Sequence, residues 1–263
     1  ILAECGDETK EPNMLAKGMS WMKTNAKVMM DDSDATIADL IVDGCNMGIK
    51  TLCRYENQYA AADEKSKKLT DDLIRLEEKL RQQVRQDKPL LVAIDGRCAS
   101  GKSTLAKDLQ KQLDCNVIHM DDFYLQPHQR TTKRLREPGG NVDYERFETE
   151  VLQPMLTGEA FSYRPYDAHA VCFLPEVIVS PKKVTIIEGS YACHPRLRRS
   201  YDLRIFLTVD RQEQLERIRK RNGEEREEMF ERIWIPLEER YFWKAGVEKT
   251  CDISLDTTGL FEG

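Results

Sequence analysis

The sequence predicts an α/β domain, a parallel sheet with helices on both faces, preceded by an all-α helical bundle or hairpin. Three observations carry that reading. From about Pro12 to Gln86 the sequence reads as helix and nothing else. From Lys88 onward, short runs rich in Val and Ile alternate with amphipathic stretches, as strands do when crossover helices join them. A glycine-rich loop separates the first such run from the first such helix. The chain has 263 residues, enough for one large domain or two small ones. The expected division is a helical segment over 1–87, for packing or oligomerisation, and an α/β domain over 88–263, with Pro89 at the change.

In the first segment, Met14, Met19, Met22 and Met29 mark an amphipathic helix with Leu15 and Trp21. Asp31, Asp32 and Ser33 interrupt it and offer N-cap oxygens. A stripe then runs through Ile41, Cys45, Gly48, Leu52, Tyr55, Tyr59, Ala62, Ser66, Leu69, Leu73, Leu76 and Leu80 in steps of four and three. One long helix or a hairpin turning near Ala61 to Asp63 both fit. The hairpin is preferred, because a lone helix would leave its stripe exposed. The segment is weakly similar to ferritin-like bundle domains with the front portion missing. No histidine precedes His119, so no di-iron site is expected.

In the second region the expected strands are Leu90–Asp95, Asn116–His119, Val184–Glu188, Leu203–Val209 and Asp252–Leu255. The expected helices are Lys102–Leu113, Tyr144–Leu156, Arg211–Arg221 and Arg226–Arg240. Ser162–Ser180 carries prolines amid β-formers and predicts an inserted antiparallel ribbon.

Composition narrows the function. Hydrophobic residues make up 40% and charged residues 33%, with a net charge of −6. That balance disfavours a nucleic-acid partner. No apolar run approaches the ~20 residues of a membrane-spanning helix. The start, with Glu4, Asp7 and Glu8, does not read as a signal peptide. Eight cysteines without a CxxC pair read as mostly buried thiols in a reducing cytoplasm. The first residue is Ile1, not Met, so the natural start can lie upstream.

The loop from Gly96 to Thr104 reads G-x-x-x-x-G-K-S-T between a strand and a helix, the Walker A pattern. It makes the sheet one of P-loop NTPase type. Gly96 and Gly101 let the backbone curl so that N–H groups, including that of Ser100, face phosphate oxygens, and the helix beginning at Lys102 adds its positive end. Lys102 reaches the β- and γ-phosphates of ATP; Ser103, followed by Thr104, offers a hard oxygen to Mg²⁺. Neither an L-S-G-G-Q nor an N-K-x-D signature is present. Asp121 and Asp122, just past the second strand, lie where ligands bind in open sheets. A carboxylate there can take a proton from an attacking hydroxyl.

Residues 89–257 resemble the uridine kinase / phosphoribulokinase group of P-loop kinases. The matching pieces are I-D-G-x-x-x-S-G-K-S-T at Ile94–Thr104, D-D-F-Y at Asp121–Tyr124, V-D-Y at Val142–Tyr144, R-P-Y-D at Arg164–Asp167, I-I-E-G at Ile186–Gly189 and an Arg-rich run from Arg211 to Arg226. The resemblance implies Asp121 as the catalytic carboxylate, Tyr124 at the acceptor site, Asp143 on sugar hydroxyls, and Tyr166 and His169 facing the base. It implies Glu188 on Mg²⁺ through water, and Arg217 and Arg221 on the phosphates. The implied reaction is transfer from MgATP to a hydroxyl of a small molecule, the 5′-hydroxyl of uridine or cytidine. Three departures bear on the acceptor. His169 lies closer to Tyr166 than the family's base-reading histidine does to its tyrosine, and the lid is short. The loop 126–140 is basic, with His128, Arg130, Lys133, Arg134 and Arg136. That loop would suit an anionic acceptor or be simply solvated. Alternatives are pantothenate, a sugar phosphate or glycerate as acceptor, or a nucleotide-driven switch protein. The helical segment would then serve a homo-oligomer or a partner. His119 reads as a satisfied core residue, His194 as a turn residue, Trp234 and Trp243 as core, and Cys98 as inert.

Overall fold

The computed structural model describes residues 89–259, with Asp71 and Ile74 before them. The bundle, hairpin and oligomer expectations for 1–87 therefore fall outside the described residues. The fold is that of the unit beginning at Pro89.

Nine strands form in this order among the described residues: β1 (Leu90–Gly96), β2 (Cys115–His119), β3 (Phe161–Tyr163), β4 (Tyr166–Asp167), β5 (Cys172–Phe173), β6 (Val177–Val179), β7 (Val184–Glu188), β8 (Leu203–Thr208) and β9 (Ile253–Asp256). Five make a parallel sheet in the order β2-β7-β1-β8-β9. All five residues of β7 are buried, Thr185 and Glu188 with Val184, Ile186 and Ile187, which requires cover on both faces. The ribbon consists of two antiparallel pairs, β3 with β6 and β4 with β5. It is covered in part: Val177 and Ile178 are exposed, whereas Tyr163 and Val179 are buried.

The main helices are α1 (Lys102–Gln112), α2 (Thr132–Arg136), α3 (Tyr144–Phe147), α4 (Gln153–Met155), α5 (Arg211–Asn222), α6 (Glu224–Met229), α7 (Ile235–Ala245) and α8 (Val247–Thr250). Two expected single helices are interrupted, each in the same way. A π turn at Glu148–Leu152 joins α3 to α4, and another at Phe230–Trp234 joins α6 to α7. In each, the residue after the turn bonds five residues back: Gln153 N–H to Glu148 O, and Ile235 N–H to Phe230 O. In each, proline comes next, Pro154 or Pro236. Proline has no N–H to continue an ordinary ladder, so the wider turn absorbs the break without ending the helix. The second helix thus runs to Ala245, past the expected Arg240.

Trp243 corrects the expectation of a core residue: it is 75% exposed, while Trp234 is half-buried. Nine residues at ~100° each are half a turn out of phase, so the two cannot share one face. Tyr241 and Phe242 take the inward positions instead.

Candidate active site

The Walker A loop is held from outside by side chains. Lys102 Nζ donates to Gly96 O and Arg97 O, each at 2.8 Å. Gln214 Nε2 donates to Cys98 O at 3.0 Å, Arg217 to Ala99 O at 3.1 Å, and Thr257 Oγ1 to Ser100 O at 3.0 Å. Every carbonyl from Gly96 to Ser100 therefore accepts from a side chain. The first turn of α1 keeps its N–H groups: it has no side-chain N-cap and no acidic residue. That combination leaves a helix N-terminus prepared for an anion. Gly96 must be glycine, because its φ is 138° and a Cβ would lie 2.0 Å from Leu207 O.

Behind the loop, Asp95 is fully buried. It accepts from Gly96 N, Tyr191 N, Cys193 N and the Tyr241 hydroxyl, at 2.7 to 3.1 Å. Burial pushes its carboxyl up to about 6, against the pull of those donors.

A cavity of about 370 Å³ opens in front of the loop. Its lining brings together Lys102, Ser103, Thr104, Asp121, Tyr124, Glu188, Arg217 and Arg221. These come from motifs more than a hundred residues apart. Tyr124 donates its hydroxyl to Asp121 Oδ1 at 3.0 Å. Ser103 Oγ lies 3.1 Å from both oxygens of Glu188. That adjacent hydroxyl and carboxylate form a hard oxygen pair that fits Mg²⁺ shared with phosphates. Among the described residues no group of three or more His, Cys, Asp or Glu side chains could hold a metal alone.

His119 corrects another expectation. It is satisfied, but not by the core: its side chain is 45% exposed, and Nδ1 lies 2.6 Å from Glu188 Oε1. The Glu188 bond raises the imidazole above its ordinary value. In return, although burial pushes Glu188 up, the bond and charge of His119, with Lys102 and Ser103, hold it below the usual carboxylate range.

Some expected site residues lie elsewhere. Asp143 is buried and caps α3, accepting from Arg146 N at 3.0 Å and Gln129 Nε2 at 2.6 Å. His169 is exposed, and its backbone N–H donates to Asp167 Oδ1 in a turn that Asp167 begins. Tyr166 is buried with its hydroxyl unpartnered, on β4, which packs against the Met120–Phe123 turn that carries Asp121. Arg217 braces Ala99 O and Thr257, whereas Arg221 is exposed at the cavity. Cys98 is buried and its thiol is pushed far up, first by burial and then by Glu238, as an inert cysteine requires. His194 N closes a turn on Tyr191 O, as expected, and its ring stacks on Tyr144 at 4.2 Å.

The basic loop is structured by its own arginines. Arg130 donates to Leu125 O, and Arg134 to Gly140 O, Val142 O, Tyr144 and Glu145.

Sequence reasoning missed Glu238, Ser190, Gln214 and Thr257. Glu238 left one trace: three residues after Ile235 and three before Tyr241, it is a charge on the apolar face of its helix.

The sheet order, the braced loop and a cavity lined by both carboxylates and cations define a P-loop protein with a kinase-type fold. The profile of the AAA domain family matches residues 92–234, over half of the chain, and the chain belongs to that family. Its resemblance to the uridine kinase group is matched by curated relatives. It is 29% identical to a uridine kinase of Brevibacillus brevis, over 52% of this chain and 68% of that protein. It is also 29% identical to a uridine kinase of Clostridium perfringens, over 47% of this chain and 63% of that protein. Alignment thus spans about two thirds of either relative. A solved structure of a proposed fructose transport system kinase from Silicibacter sp. TM1040 shares the fold, with TM-score 0.52 and 23% identity. It covers 68% of this chain and 96% of that one.

Proposed function

We propose that the protein is an ATP-dependent kinase that moves the γ-phosphoryl group to a hydroxyl of a small uncharged acceptor, the 5′-hydroxyl of a pyrimidine nucleoside. One observation carries the reading: Asp121, bonded to Tyr124, lines the same cavity as the Walker A lysine. A carboxylate so placed can orient an acceptor hydroxyl or a water, so dependence of turnover on the acceptor is what separates a kinase from a hydrolytic switch.

In this reading the N–H groups of the α1 first turn and Lys102 bind phosphate. Ser103 and Glu188 would hold Mg²⁺, which when bound offsets phosphate charge. Asp121 orients the acceptor hydroxyl and takes its proton, and Tyr124 fixes the carboxylate's rotamer. Arg221 reaches the phosphates from the lid side. An uncharged acceptor is supported by charge. Beside Asp121 and Tyr124 the lining adds no cation of its own, since Lys102, Arg217 and Arg221 lie on the loop and lid. Arg130 and Arg134, which would favour a sugar phosphate or glycerate, are committed to backbone carbonyls. The Tyr166 hydroxyl is buried without a partner beside the turn that carries Asp121, a cost of ~1–3 kcal/mol unless an acceptor group reaches it. ADP release from MgATP with uridine, cytidine, pantothenate, glycerate and sugar phosphates tests the proposal. Turnover confined to the nucleosides is expected; turnover with an anionic acceptor only would overturn the choice of acceptor.

A further inference from the structure

Glu238 is a buried carboxylate, 6% exposed, on the wall of the cavity proposed to hold phosphate. A negative charge there is costly to bury and repels the ligand. Its bonds explain why it is kept. Oε2 accepts from Cys98 N at 2.9 Å, and Oε1 accepts from Ser190 Oγ at 2.7 Å. Ser190 follows Gly189 directly after β7, and its hydroxyl also lies 3.4 Å from Gly96 O. The neighbour Glu239 grips Arg97 through both oxygens, at 2.6 and 3.1 Å. Two consecutive residues of α7 thus hold two consecutive residues of the loop.

The loop needs holding at this point. Ala99, the residue after Cys98, has φ 59°, a left-handed conformation unusual for a residue with a Cβ. Such a backbone persists only where its surroundings impose it. Gln214 fixes the Cys98 carbonyl and Arg217 the Ala99 carbonyl, but Glu238 alone among these braces takes a loop N–H.

We propose that Glu238 is a positioning residue: it sets the conformation of the phosphate loop at Cys98–Ala99 and ties it through Ser190 to the end of β7. The inference rests on the kinase reading for what the loop binds. It does not require that the acceptor be known.

The test is MgADP affinity by titration calorimetry, without acceptor, for the wild type, Glu238→Gln and Glu238→Ala, with thermal unfolding of each. Glutamine can accept from Cys98 N–H and donate to Ser190 Oγ, so it keeps both bonds and drops the charge. Alanine keeps neither. Bonds to a charged group are strong enough that Glu238→Ala should bind MgADP roughly tenfold or more weakly, at a temperature where every variant is folded. Glu238→Gln should stay within about threefold. Equal affinity in the wild type and Glu238→Ala, with only a lowered melting temperature, would show a stabilising role and overturn the proposal. Glu238→Gln as weak as Glu238→Ala would also overturn it, because the charge and not the bonding would be at work. Should Glu238→Ala fail to fold, Ser190→Ala removes one of the two bonds: about threefold weaker binding is expected, and unchanged binding overturns the proposal. A wild type that does not bind MgADP would sink the kinase reading itself, a result distinct from any of these.

Discussion

The two sides of the cavity are built on different principles. On the phosphate side, five successive loop carbonyls are each held by a side chain, and Asp95 behind them gathers four donors. On the acceptor side, Asp121 is exposed, and the nearby ribbon is two pairs of strands of two or three residues. Binding phosphate is one task with one geometry, so its scaffold is rigid and over-determined. Accepting one particular hydroxyl compound is a variable task, placed on short elements that few contacts fix.

The largest expected effect lies on the rigid side. Lys102→Ala removes both phosphate attraction and two bonds that close the loop. Transfer should fall by ~10²–10³-fold or more, measured as turnover at saturating MgATP. Near-full activity would remove the loop from catalysis.

The next bears on how the acceptor side is anchored. His194 is buried against Tyr144, and burial lowers it to about 4. The native state therefore keeps it neutral, while in the unfolded chain it titrates near ~6.5. Its contribution is complete above that value and is lost as pH falls from there toward 4. The loss reaches about 3 kcal/mol below both values. His194→Phe keeps a ring on Tyr144 and cannot titrate, so its unfolding free energy should fall less between pH 7 and pH 4 in matched denaturant melts. Parallel slopes for the two proteins would contradict this.

A smaller effect is expected at Tyr166. If its unpartnered hydroxyl meets the acceptor, Tyr166→Phe should raise the acceptor KM roughly fivefold, with kcat and stability little changed. An unchanged KM would place the acceptor elsewhere. The smallest effect concerns the proposed domain division. A chain beginning near Arg85 should fold and keep its activity within a few-fold, since every proposed site residue lies beyond Pro89. A soluble but inactive product would make the first segment part of the site.

The same contrast governs what the sequence alone discloses. The loop is legible because G-x-x-x-x-G-K-S dictates its own backbone, and the sheet because buried parallel strands need unbroken apolar runs. Asp121 is legible because it follows a strand at the carboxyl edge of the sheet, and Glu188 through the family resemblance. The two π turns are not, since proline signals a break without saying that a wider turn will absorb it. Trp243 is misplaced as a core residue because nine residues from Trp234 put it on the opposite face. His119 and Glu238 escape notice as partners because what they do depends on residues 69 and 140 positions away.

The central claim is that Asp121 faces an acceptor across the cavity from a phosphate loop. Asp121→Asn tests it most directly, with MgADP affinity and uridine-dependent ADP release measured on the same preparation. The account predicts affinity within a few-fold of wild type and acceptor-dependent turnover reduced by ~10²-fold or more. Unchanged turnover, or turnover that never depended on the acceptor, would contradict it.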